Sequence, residues 1–258
     1  VELRERRVAL VLAAVSILAM ISTGAQTFAR DHGKIRDPNT ITAIVIHTVG
    51  GPACISNAVR FRPIPYRDDD AQFWQRVLKA APRADAHIVI GRNGKRADVL
   101  PITQVANHTY GANTTSIGIE LVHRGDGAEA FSEPQIVKLI EVIKQIRQQY
   151  PLIRLENIVA HSDIDQRTCP CNGVIYRRRQ DPGANFPMDR VLKEVQLPSD
   201  EDGRSSSLPP FTGAAPRSAC VGQLENQIPS SDMPDLEQQG SGNSPELLYI
   251  NNLQISVV

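Results

Sequence analysis

Aromatic residues make up only 5% of the chain, and Trp74 is the lone tryptophan. That scarcity argues against the stacking platforms that hold single-stranded nucleic acid. Net charge is lacking too. The 28 Lys and Arg balance 28 Asp and Glu, so no broad attraction to nucleic acid or to an anionic membrane is expected. The apolar run Val8 to Ile21 carries no charge, but it is shorter than the ~20 residues a spanning helix needs. No cysteine directly follows that run, which speaks against a lipid-anchored start, and no internal repeat is visible. The four cysteines are Cys54, Cys169, Cys171 and Cys220, and Cys-Pro-Cys lacks the usual spacing of a structural zinc site.

What is present is ordinary globular composition, enough for one or two domains. Residues 1–25 read as a secretory signal: Arg4, Arg6 and Arg7, then the apolar run, then Ser22-Thr23-Gly24-Ala25 for cleavage. Export, to a periplasmic or extracellular location, would place the mature chain where disulfides persist, with no stable membrane insertion once the signal is cut. Residues 26–196 form the expected folded domain. From 197 to 258 Ser, Pro, Gly and Gln dominate, and acidic residues far outnumber Arg204 and Arg217. Such a tail is expected to be mostly disordered, because it cannot bury enough apolar surface to offset its ordering entropy.

Within the domain, Ile41 to His47, Ser116 to Val122 and Asn157 to His161 read as buried strands. Thr48 to Arg67, with several Gly and Pro, reads as a loop. A helix is expected over 71–81 behind an aspartate cap. His87 to Ile90 and Arg96 to Leu100 flank Asn93-Gly94, a hairpin signal. Ser132 and Gln135 open the clearest helix as a capping box. Ile136, Ile140, Ile143 and Ile146 repeat along it, and Pro151 ends it. Pro187 to Val195 suggests a short last helix.

The chemistry gathers at the strand ends. His47 and His161 each end an apolar run, and Asp181 lies in Arg177-Arg178-Arg179-Gln180-Asp181-Pro182-Gly183. Imidazole and carboxylate are both ligand types for zinc. A strand-end histidine alone is more often a hydrogen-bonded structural residue, and Glu120 alone could be a surface carboxylate.

Five pieces in order shift that balance: IVIH (44–47), AHIVIGRNGK (86–95), SIGIELV (116–122), VAHSDI (160–164) and RRRQDPGANFP (177–187). Together, over about residues 40 to 196, they resemble the zinc-dependent N-acetylmuramoyl-L-alanine amidases, the family that includes a phage lysozyme and the peptidoglycan recognition proteins. The resemblance implies an α/β fold: a central mixed β-sheet flanked by helices on both faces, with a zinc cleft above the strand ends. It implies a zinc hydrolase that cleaves the bond between N-acetylmuramic acid and L-alanine in peptidoglycan or muropeptides. The alternative is a relative that binds peptidoglycan without cutting it, having lost a ligand.

Residue by residue, the resemblance makes His47 and His161 zinc ligands. The third ligand is Asp181 or Cys169. Asp181 is preferred because Arg179, Pro182-Gly183 and Phe186 surround it in family order, whereas Cys169 has only Pro170 and its spacing from His161. Glu120 becomes the acid-base residue. Arg179, where much of the family has Lys, becomes the oxyanion-stabilising cation. His108 is expected to line the substrate cleft and His87 to pack beneath the site. His32 and His123 are read as surface residues. A bridge from Cys54 to Cys169 or Cys171 is expected near the zinc.

Overall fold

The structure is a computed structural model and describes residues 31–81 and 85–197. The expected signal and nearly all of the expected tail lie outside the described residues. The strands are β1 (Ala43–Thr48), β2 (Pro52–Ile55), β3 (Ala58–Phe61), β4 (Ile88–Ile90), β5 (Arg96–Asp98), β6 (Ser116–Leu121), β7 (Ile158–Ala160), β8 (Thr168–Cys171) and β9 (Val174–Arg177). The helices are α1 (Asp70–Ala80), α2 (Glu133–Gln149), α3 (His161–Ile164) and α4 (Met188–Glu194).

Five strands form one mixed sheet in the order β5-β4-β6-β1-β7. β4, β6, β1 and β7 run parallel, and β5 pairs antiparallel with β4. Every residue of the central β1 is buried, as expected of a strand covered on both sides. Side chains alternate between faces. Ile44 and Ile46 of β1, Ile117, Ile119 and Leu121 of β6, and Ile88 and Ile90 of β4 join one core with Ile136, Leu139, Ile140, Ile143 and Ile146 of α2 and Val191 of α4. Val89 of β4 points the other way, into a second cluster with Ala71 and Leu78 of α1. Val45 of β1 shares that side with Ile164 of α3. Helices therefore cover both faces, and each large aliphatic side chain fully buried there is worth about 1.5–3 kcal/mol.

The β4–β5 turn forms where Asn-Gly places it. Gly94 has φ +77°, and a Cβ there would meet the carbonyl oxygen of Pro134 at 2.7 Å. α2 is capped as expected at one end of the box only: Ser132 Oγ accepts the Gln135 N–H at 3.4 Å. The Gln135 side chain does not reach back. Fully buried, it donates to the carbonyls of Ile90 (2.9 Å) and Val122 (3.4 Å) at the sheet's ends. Ile90 O also accepts the Val122 N–H at 3.0 Å, so the Gln135 amide adds a second donor there and ties the start of α2 to the sheet, while its own buried N–H groups find acceptors.

One correction concerns the segment read as a loop. The stretch after β1 contains the β2–β3 hairpin, turned through Ser56 and Asn57, both at positive φ. Its short strands carry too little alternation to read from sequence. Residues 168–177 form a second hairpin, β8–β9. A disulfide joins the two, Cys54 to Cys171, with Cα atoms 5.5 Å apart and a sequence separation of 117. β7 also stops at Ala160, and His161 opens α3 instead of ending the strand.

Candidate metal centre

Each part of the site is set by the end of an element. His47 and Glu120 are register partners across the parallel β1–β6 pair. Their neighbours at alternate positions, Ile46 and Ile119, point into the α2 core, so both functional side chains project from the opposite face. His161 leaves β7 at the first residue of α3, whose start is fixed by Asp163 accepting the Ala160 N–H at 3.0 Å. Asp181 reaches the same point along the irregular segment that leaves β9. Its carbonyl accepts the Ser162 N–H at 2.9 Å, and its peptide bond to Pro182 is cis.

The donor atoms converge. His47 Nδ1 lies 2.9 Å from His161 Nδ1, which lies 3.0 Å from Asp181 Oδ2. His47 Nδ1 is 3.5 Å from the same oxygen. Tetrahedral zinc with bonds near 2.0–2.1 Å puts neighbouring ligand atoms about 3.3–3.4 Å apart, close to these separations. All three residues are 2–3% exposed. Burial pushes His47 down to about 4, assisted by His161, so this imidazole is neutral and free to ligate. Burial also disfavours charge on His161, but the Asp181 and Asp165 carboxylates outweigh it and draw the ring toward imidazolium. The Asp181 carboxyl is held well below the usual carboxylate range, as His161 and His47 overcome its burial. A buried carboxylate thus recruits a proton onto a ring whose lone pair is aimed at it. A divalent cation replaces that proton with a stronger positive partner, and the donor set fits zinc.

Glu120 is half-buried, yet its Oε2 is shut from solvent without a hydrogen-bond partner. Burial, with Asp181 adding to it, pushes its pKa up to about 8. Arg179 is also half-buried, its Nε unpartnered, and it stands within electrostatic reach of His47, His161 and Glu120. Cys169, the rival ligand, is disulfide-bonded, and an oxidised sulfur has no thiolate to offer.

The other histidines divide. His87 is fully buried: its Nδ1 accepts the Gly118 N–H at 3.0 Å, and its Nε2–H donates to Gln104 O at 3.0 Å. His108 lies behind His47 rather than open to the cleft, at 8% exposure. His32 is partly exposed and pairs with Asp85. His123 corrects its surface reading: it is 1% exposed and stacks on Phe131 at 3.7 Å between ring centroids. Sequence reading also missed Asp165, whose Oδ2 lies 3.7 Å from His161 Nε2 and whose carboxylate Arg167 grips at 2.6 and 2.8 Å. Its position four residues after His161 was the available signal.

The family model described as N-acetylmuramoyl-L-alanine amidase matches residues 37–183, a span that contains all five of these site residues. The chain belongs to this amidase family. Its similarity to the 1,6-anhydro-N-acetylmuramyl-L-alanine amidase AmpD of Haemophilus influenzae is 30% identity over 122 residues, 44% of this chain and 60% of that protein. The chain thus spans about three fifths of that relative's length. Among solved amidase structures, it is similar to a selenomethionine AmpD derivative at 25% identity and TM-score 0.45, covering 64% of this chain and 90% of that one. It is similar to the amidase AmiD of E. coli, in complex with anhydro-N-acetylmuramic acid-L-Ala-D-gamma-Glu-L-Lys, at 26% identity and TM-score 0.43, covering 60% and 57%.

Proposed function

We propose that this chain is a zinc-dependent hydrolase of the amide bond between N-acetylmuramic acid and L-alanine in peptidoglycan or muropeptides, acting after export. The observation that carries the reading is the convergence of His47, His161 and Asp181 donor atoms beside an unpartnered carboxyl and an unpartnered guanidinium nitrogen. Family membership supplies the bond and the sugar. The Cys54–Cys171 disulfide supports an oxidising compartment.

His47, His161 and Asp181 would hold the zinc. Zinc bound there supplies Lewis acidity, lowering the pKa of water and polarising a carbonyl. Glu120 takes the proton of the attacking water and delivers it to the departing amine of L-alanine. Arg179 holds the negative charge that develops on the carbonyl oxygen. Its planar guanidinium offers several N–H donors in a fixed fork for that oxygen. The products are a muramyl sugar or glycan and a free stem peptide.

The test is digestion of purified sacculi and of soluble anhydro-muropeptides by the zinc-loaded full chain, read by mass spectrometry. Stem peptides with a free L-alanine amine are expected from at least one of the two. Binding to sacculi with no bound zinc and no cleavage of either substrate would favour the binding-only alternative.

A further inference from the structure

We infer that His108 is a positioning residue: it accepts the Nε2–H of His47 and thereby fixes the His47 Nδ1 lone pair on the metal position. The inference rests on the metal-centre reading above and adds a role for the residue that lies behind His47.

The argument is one of proton direction. His108 Nδ1 lies 3.0 Å from His47 Nε2. On its other side, His108 Nε2 lies 3.2 Å from Ser116 Oγ, and Ser116 Oγ donates to the Ala112 carbonyl at 2.6 Å. That last contact is too short for two oxygens without a hydrogen between them, so the hydroxyl hydrogen is committed to Ala112. Ser116 Oγ can then only accept from the ring, which places the proton of neutral His108 on Nε2 and leaves Nδ1 a bare lone pair. The pair with His47 closes only if His47 carries its proton on Nε2. A neutral His47 with Nε2 protonated has its lone pair on Nδ1, the atom that faces His161 and Asp181. The opposite direction fails at both ends. It would set the His108 Nε2 lone pair against the Ser116 oxygen lone pairs, and it would put a hydrogen on the ligating nitrogen of His47.

The fold reserves room for this ring. A Cβ on Gly118 would stand 2.6 Å from His108 Cγ and 2.7 Å from its Nδ1, so only a glycine in the middle of β6 admits the imidazole. The backbone beneath is clamped as well: Asn113 Oδ1 accepts the N–H groups of His108 (3.1 Å) and Thr109 (2.8 Å), and Asn113 Nδ2 donates to Asn107 Oδ1 at 3.0 Å. The two histidine ligands are thus held differently. A neutral imidazole stands behind His47, and a carboxylate, Asp165, stands behind His161. Outer partners of this kind commonly change metal affinity 10–100-fold.

The test uses the full chain and zinc itself. Long-range proton–nitrogen correlation NMR of the metal-free and zinc-loaded protein should show His108 protonated on Nε2 and accepting at Nδ1 in both states. A His108 proton on Nδ1 would overturn the inference. Zinc competition titration should show a 10–100-fold loss of affinity in His108→Leu. His108→Asn, whose Oδ1 can occupy the Nδ1 position and accept from His47, should recover most of it. Wild-type affinity in a folded His108→Leu, or no recovery in a folded His108→Asn, would refute the role. If neither folds, Ser116→Ala answers instead. Removing the acceptor for His108 Nε2–H should admit the second tautomer, visible in the ring nitrogen shifts, and weaken zinc several-fold; unchanged shifts and affinity would again refute it. A wild-type chain that binds no zinc at all is a different failure, because it would overturn the metal-centre reading as well.

Discussion

His47 and Glu120 face each other as register partners in adjacent parallel strands, on the sheet face away from α2. The proposed metal ligand and the proposed acid-base carboxyl are therefore spaced by backbone hydrogen bonds rather than by loops. Such placement is hard to disturb by side-chain substitution, so each can be altered separately. Glu120→Gln should keep zinc within about threefold of wild type and lose about 10²–10⁴ in kcat. Turnover of a muropeptide, measured on variant protein with its zinc content assayed, checks this. Full zinc with near-normal turnover would remove Glu120 from the chemistry.

Glu120 should also shape stability against pH in the metal-free protein. Its folded pKa, about 8, lies above the ordinary 4.5. The folded state thus holds this proton more tightly than the unfolded state, and the associated stability is full below pH 4.5 and lost as pH rises through 8. Glu120→Gln carries no such penalty. With chelator present, it should match wild type near pH 4 and exceed it by roughly 1–3 kcal/mol above pH 8, a figure reduced for the part of the side chain that faces the cleft. Urea melts at the two pH values decide it, and equal stability at both would mean that the carboxyl is well solvated.

Much of this was legible in the chain because the relevant signals are local or periodic. Ile44 to His47 and Ser116 to Glu120 read as strands from a continuous apolar run, and both are. The helix over 133–149 follows from isoleucine spacing and Ser132. The proline- and glycine-bearing segment after Thr48 concealed the β2–β3 hairpin, since its pairing depends on Ser56 and Asn57 adopting positive φ rather than on hydrophobic alternation. His123 was misjudged because nothing near it in sequence announces Phe131 as a stacking partner. The setting of His108 was equally out of sight. It depends on Ser116 and Gly118 from a strand that arrives later in the chain.

Asp181 and Cys169 make opposite predictions for metal binding. Asp181 Oδ2 lies 3.0 Å from His161 Nδ1, whereas the Cys169 sulfur is engaged in a disulfide. Asp181→Ala should lower zinc affinity by more than 100-fold, since one of three protein ligands is gone. Cys169→Ser should retain zinc at one per chain. Metal analysis of both folded variants checks the pair, and a zinc-replete Asp181→Ala beside a zinc-free Cys169→Ser would reverse the assignment.

The Cys54–Cys171 bridge should matter for stability more than for the metal. It ties the hairpin that follows His47 to the hairpin that precedes Asp181 and closes 117 residues of sequence. Beside it, among the described residues, a small cluster of Val59, Cys169 and Tyr176 adds apolar contact. Removing a native disulfide from a small secreted domain typically costs about 2–5 kcal/mol, much of it through the freed unfolded chain. For a domain of this size that corresponds to a fall in Tm of roughly 5–15 °C. Zinc binding should survive, because Asp181 is held independently by the Ser162 N–H on its carbonyl and by His161 on its carboxylate. The double variant Cys54→Ser with Cys171→Ser should therefore melt earlier yet bind one zinc with affinity within about threefold of wild type. Calorimetry and zinc titration separate the two effects, and a loss of zinc in protein still folded at the titration temperature would show that the joined hairpins hold Asp181 in place.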